Sequence, residues 1–95
     1  MGTTGRLLVY KITYSGRFQR NFKKLHPHEK KQIKRKVELL SKNPMHPSLR
    51  AKRIQGVDDL FECSVNMDIR IIWYYEGERL IVVLDVGHHD ILNRF

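Results

Sequence analysis

Residues 69–86, IRIIWYYEGERLIVVLDV, constrain this chain's fold more than any other stretch. The second half, RLIVVLDV (79–86), is apolar at nearly every position. A strand that is apolar on one face needs cover on that face only. One that is apolar on both belongs at the centre of a sheet, with material packed on either side. The first half, IRIIWYY (69–75), alternates, with Ile69, Ile71, Trp73 and Tyr75 on one face and Arg70, Ile72 and Tyr74 on the other. Between them Glu76-Gly77-Glu78 supplies a hairpin turn whose glycine can take a positive φ. LFECSVN (60–66) adds a strand with Phe61, Cys63 and Val65 on one face. LLVYKITY (7–14) adds another, rich in β-branched and aromatic residues.

Two helices separate that first strand from the rest. Ser15 is an N-cap whose hydroxyl can accept from an orphan backbone N–H. In GRFQRNFKKL, Phe18, Phe22 and Leu25 recur at i, i+4, i+7, which makes one apolar stripe. A second helix starts in HPHEKK, with Pro27 in its first turn. Ile33, Val37 and Leu40 repeat the spacing, Leu39 widens the stripe, and Asn43-Pro44 stops it. From Pro44 to Arg53 a loop is expected, stiffened by Pro44 and Pro47. The order β-α-α-β-β-β predicts an α+β fold, with two N-terminal helices packed on a mostly antiparallel sheet of four to five strands. Ninety-five residues make one domain, 1–95, with residues 1–6 expected to be flexible.

Several function classes drop out. No apolar run approaches the ~20 residues that span a bilayer. The N-terminal residues lack a secretory pattern, and Arg6 breaks a myristoylation pattern. A cytoplasmic protein with no membrane contact is the expectation. The histidines are 26, 28, 46, 88 and 89, and Cys63 is the lone thiol; there is no CxxC and no HExxH, so no metal is expected. Nucleotide-cradling glycine loops and GxSxG are absent too, so no cofactor is expected.

Charge is unevenly spread. Residues 17–53 hold thirteen Lys/Arg against Glu29 and Glu38, whereas residues 54–95 hold three Arg against eight acids. The excess runs past the helices into LRAKR (49–53). That is the footprint of a surface for a polyanion, most simply nucleic acid. Lys34 and Arg35 on the second helix, Arg50, Lys52 and Arg53 in the loop, and His88 are the candidate RNA contacts.

Metal-free RNA cleavage is the chemistry these residue types fit. The 2′-OH attacks the adjacent phosphate. A base takes its proton, an acid protonates the 5′ leaving oxygen, and cations stabilise the crowded phosphorus. Histidine suits the first two roles and arginine the third. His46, Arg70, His88 and His89 are available, with Lys52 and Arg53 beside them. Arg70 is unusual on so apolar a strand. It either pairs with Asp68 or Glu62 or serves a site. His26 and His28, flanking Pro27, are read as solvated.

The ordered set HPSLRAKRIQG (46–56), SVNMDIRIIWYYEGERLIVVLDVG (64–87) and GHHD (87–90) resembles the RelE/ParE superfamily of toxins from bacterial type II toxin–antitoxin systems, and most the RelE and YafQ branches. The resemblance spans residues 8–93. It implies two helices on a curved, microbial-ribonuclease-like antiparallel sheet. It also implies metal-free cleavage of messenger RNA in the ribosomal A site. A cognate antitoxin is expected to wrap the basic site, so the chain is a monomer when free and part of a hetero-oligomer when bound. His46, Asp68 and His89 match the YafQ-type positions. Arg70 matches the RelE-type strand arginine, and Lys52 and Arg53 match its basic loop. This makes His89, Arg70, His46 and Asp68 the candidate catalytic residues, with the division into acid and base open. Ser64 stands where the YafQ pattern has a further histidine, Ile69 where tyrosine is common, and Asn93 where the family ends on an aromatic. Two alternatives share the scaffold or the charge: a ParE-like toxin that poisons DNA gyrase without cutting RNA, and a basic RNA-binding domain without catalysis.

Overall fold

The computed structural model describes residues 9–94, the side chains of 89, 93 and 94 excepted. The expected flexible segment 1–6, the strand start at Leu7 and Leu8, and Phe95 lie outside the described residues. The elements are β1 (Lys11–Tyr14), α1 (Gly16–Lys23), α2 (Pro27–Lys42), β2 (Lys52–Arg53), β3 (Phe61–Ser64), β4 (Ile69–Glu76) and β5 (Leu80–His88). A 3-10 turn, Pro47–Leu49, precedes β2, and a 3-10 helix, His89–Arg94, follows β5.

The five strands form one sheet in the order β1-β5-β4-β3-β2. Among the described residues only β1 and β5 run parallel; the other pairings are antiparallel. The apolar run thus lies between β1 and β4, and both of its faces are covered. On one face α1 and α2 bring Phe18, Ile33, Val37 and Leu40 onto Ile69, Ile71, Trp73, Ile81 and Val83. On the other, a smaller core joins Ile54, Ile72 and Ile91, with Leu84 and Leu92 against it. Two apolar layers explain why alternation fades in β5.

The caps follow the sequence. Ser15 Oγ accepts from the Phe18 N–H at 2.9 Å and donates to the Leu84 carbonyl, tying the start of α1 to β5. Pro27 opens α2, the Glu29 carboxylate accepts from the His26 N–H at 2.9 Å, and Asn43 closes the helix. Gly77 takes φ 72° in the β4–β5 hairpin.

The structure corrects the sequence reading at two places. The stretch expected to be loop as far as Arg53 ends in an edge strand, with Lys52 opposite Glu62 and Arg53 opposite Phe61. The 3-10 turn and the left-handed Arg50 (φ 51°) reverse the chain and lay it against β3. The last strand also continues past Val86 through Gly87 to His88, which pair with Arg70 and Ile69. Gly87 permits this because the chain doubles back over it. A Cβ there would meet Ile91 Cδ1 at 3.2 Å.

Asp85 is the polar residue in the central strand, and it is fully buried. It sits where the β4–β5 register slips, beneath α1. Its carboxylate meets Arg17 Nε at 2.8 Å, accepts from Asn21 Nδ2 at 2.6 Å and accepts from the Val86 N–H at 2.8 Å. These partners offset the desolvation of a buried carboxylate and fix α1 on the sheet. Among the described residues no helix is long and apolar enough to cross a membrane.

A cationic cleft at the end of the sheet as candidate active site

Away from the helices, the sheet carries a cleft of about 650 Å³ lined by Arg50, Lys52, Glu62, Ser64, Met67, Arg70 and Leu92. Strand periodicity builds its floor. Glu62 and Ser64 are two apart on β3, Lys52 lies opposite Glu62, and Arg70 lies opposite Ser64. Alternation sends Arg53 elsewhere, with its guanidinium 5.1 Å from the centroid of the Phe61 ring. Arg53 also borders a smaller adjoining cleft with Lys52, Gln55 and Leu92. Three cations against one carboxylate make the main cleft electropositive, with Arg50 and Lys52 exposed at its rim and Arg70 largely buried on its floor.

Arg70 is held at three points. Its Nε is 3.8 Å from Glu62 Oε1, and its Nη1 donates to the carbonyls of Asn66 at 2.9 Å and Ile69 at 3.2 Å. Of the two acids open as its partner, the structure pairs it with Glu62. The β3–β4 turn is itself braced. Asn66 Oδ1 accepts from the N–H groups of Asp68 and Ile69 at 2.8 Å, and Asn66 Nδ2 donates to Gln32 of α2 at 2.9 Å.

Asp68 has a different partner. Its carboxylate contacts Nδ1 of His88, where β5 ends. The hydrogen bond to Asp68 raises the His88 pKa above the ordinary histidine range; partial desolvation opposes it, while the charges of Asp68, Glu29 and Asp90 support it. His88 and Arg70 are therefore brought to the same end of the sheet. They occupy successive rungs of the β4–β5 ladder, opposite Ile69 and Gly87 respectively, so alternation turns His88 to the helix-covered face with Ile69 and Arg70 to the cleft face. The backbone of His89 opens the 3-10 helix; its imidazole lies outside the described side chains.

His46 caps the 3-10 turn that leads to Arg50. Its Nδ1 accepts from the Ser48 N–H at 3.1 Å and meets Ser48 Oγ at 2.9 Å. Ser48 lines a pocket continuous in its residues with the cleft, sharing Arg50, Ser64, Met67 and Arg70. Lys34 is not in this group. It lines a separate, largely apolar groove of about 440 Å³ between α1 and α2, with Phe18, Phe22 and Ile33. Arg35 is exposed on α2.

Glu62, Met67 and Leu92 belong to the cleft and were missed as site residues from sequence. An acid between Phe61 and Cys63 on a half-buried strand was a usable signal, because alternation opposes it to the core face. Met67 and Leu92 carried no such mark. Cys63 is buried, and burial pushes its thiol up to about 12, which leaves it unreactive. Among the described residues no group of three His, Cys, Asp or Glu is placed to hold a metal ion.

Residues 10–94 match the model of the family described as bacterial toxin of type II toxin–antitoxin system, YafQ. No curated protein sequence matches the chain. Among solved structures, YafQ of E. coli strain BL21(DE3) superposes with TM-score 0.72 at 22% identity, over 87% of this chain and 97% of that one. The toxin in the E. coli DinJ–YafQ toxin–antitoxin complex gives 0.72 at 22% identity, over 87% and 96%. A chain of the toxin–antitoxin complex RelBE2 of Mycobacterium tuberculosis gives 0.74 at 18% identity, over 88% and 95%.

Proposed function

The chain belongs to the YafQ family of toxins from bacterial type II toxin–antitoxin systems, and from that premise we propose that it is a metal-free endoribonuclease acting on messenger RNA in the ribosomal A site. In this reading the 2′-OH of one nucleotide attacks its own 3′ phosphate. The P–O bond to the next 5′ oxygen breaks and leaves a 2′,3′-cyclic phosphate. His89 and His46 exchange the two protons. Arg70 stabilises the extra negative charge on phosphorus, as a guanidinium fork suits. Arg50 and Lys52 hold the phosphodiester, and Arg53 contacts RNA from the adjoining cleft. His88, kept protonated to higher pH by Asp68, adds positive charge at the strand end. Lys34 and Arg35 contact RNA farther out.

One observation carries the reading. Arg50, Lys52 and Arg70 come from a turn, an edge strand and an inner strand, and all open onto one cleft.

An antitoxin is the proposed partner. The E. coli relative is found with DinJ, and the mycobacterial relative comes from a toxin–antitoxin complex. Bound to it, the free monomer becomes a hetero-oligomer with its basic surface masked, in the cytoplasm.

Inducing the gene and mapping messenger RNA 5′ ends tests the assignment. Wild type should arrest growth and create new ends; His89→Ala and Arg70→Ala should remove both. Toxicity that survives both substitutions and brings DNA-damage signalling would replace this reading with gyrase poisoning. No arrest at all would leave a basic RNA-binding domain.

A further inference from the structure

We propose that Met67 and Leu92 form an apolar jaw over the cationic cleft that takes a nucleobase of single-stranded RNA, while Arg50, Lys52 and Arg70 hold the adjoining phosphate. The inference rests on the nuclease reading and names how that site grips its substrate.

Met67 is 95% exposed, the most exposed large apolar side chain among the described residues. A lone exposed methionine is ordinary in itself. This one is set apart by its mounting and its neighbours. The turn that carries it is braced by Asn66, which accepts from two backbone N–H groups at 2.8 Å and donates to Gln32 of α2 at 2.9 Å. The carbonyl of Asn66 also receives Arg70 Nη1 at 2.9 Å. The backbone at the tip is thus held in place, while the side chain does no packing work within the domain. Met67 lines the same cleft as Arg50, Lys52 and Arg70, and Leu92 lines it from the C-terminal 3-10 helix.

A ligand that fits must offer an anion to the floor and a flat, weakly polar surface to the lips. A nucleotide does both. Its phosphate answers the three cations, and its base has a polarisable face that suits a thioether and a leucine methyl. A purely apolar ligand would leave the cations unanswered, and a bare phosphate would leave the lips in water. A flexible thioether also accepts bases of different size, so the jaw should grip without strong sequence preference.

The test uses the full chain and fluorescent single-stranded oligonucleotides that are 2′-O-methylated throughout. These keep the phosphates and bases but cannot be cleaved. A matched oligonucleotide with abasic positions has the same charge and fewer bases. Wild type should prefer the base-bearing strand. Met67→Ala should weaken that strand roughly two- to tenfold and leave the abasic one unchanged. Met67→Leu should keep most of the affinity, and all variants should keep the wild-type melting temperature. Equal affinity of wild type for both strands, or no effect of Met67→Ala, overturns the jaw. If Arg70→Ala still weakens both strands in that case, the nucleic-acid site survives without it. Wild type binding neither strand overturns the jaw, while the nuclease reading stands or falls separately on the mapping of messenger RNA 5′ ends.

Discussion

Glu62 Oε1 lies 3.8 Å from Arg70 Nε, and both side chains are largely buried on the cleft floor, 8% and 20% exposed. The carboxylate orients the guanidinium and also opposes an incoming phosphate. Removing it therefore has effects of opposite sign. Glu62→Ala should destabilise the fold by about 1–3 kcal/mol, because a largely buried guanidinium loses its countercharge, measured by denaturant titration. Glu62→Gln should bind RNA more tightly at low salt, because the cleft is then more positive, yet cleave it more slowly. Weaker binding by Glu62→Gln would show that Glu62 does not compete with the phosphate.

The Asp68–His88 pair predicts a pH dependence of definite sign. The His88 pKa is raised in the folded state, chiefly by its hydrogen bond to Asp68. The pair's contribution is therefore complete below the ordinary histidine pKa and is lost as pH rises through the raised value. Asp68→Ala should bring the imidazole back toward the ordinary range in an NMR titration. The stability gap between wild type and variant should shrink as pH rises. With both side chains half exposed the gap is small, so the chemical shifts are the decisive readout. An unmoved titration curve would contradict the pairing.

Arg50 combines a strained backbone with a charge in the cleft. A left-handed conformation costs an L-residue about 1–2 kcal/mol. Arg50 is held at φ 51°, ψ 42°. Arg50→Gly relieves this, while the added freedom of the unfolded chain takes back about 0.4–1 kcal/mol. The melting temperature should hold or rise slightly, and RNA affinity should fall with a shallower salt dependence. A variant that loses stability would show that the side chain's packing outweighs the backbone term.

Asp85 is the buried carboxylate that holds α1. Asp85→Ala removes the acceptor of Asn21 and the Val86 N–H, and the countercharge of the partly exposed Arg17, and should cost about 1–3 kcal/mol, read from thermal or chemical unfolding. Because the residue lies beneath α1 rather than in the cleft, whatever folded protein remains should bind RNA normally. A parallel loss of affinity at full folding would mean that the helix-to-sheet contact shapes the cleft.

Much of this molecule is legible in its residue order. The apolar run at 80–86 required a central strand. The i, i+4, i+7 stripes required two helices laid on one face, and Ser15, Pro27, Asn43 and Gly77 marked where elements start and stop. These are local rules: period, capping and turn geometry act over a few residues, so a linear reading captures them. The basic stretch from 17 to 53 likewise announced a surface for a polyanion. What stayed hidden depends on register and on chain reversal. Sequence left Arg70 with two acids to choose from, and only the β3–β4 pairing put Glu62 beside it. Sequence had Lys52 and Arg53 acting together, and only alternation along β2 placed one in the cleft and the other over Phe61. No local rule says that the chain after Gly87 doubles back so that Ile91 closes a second core and Leu92 meets the cations. Such contacts join residues far apart along the chain, and they are settled by which packing of the whole sheet buries both faces of β5.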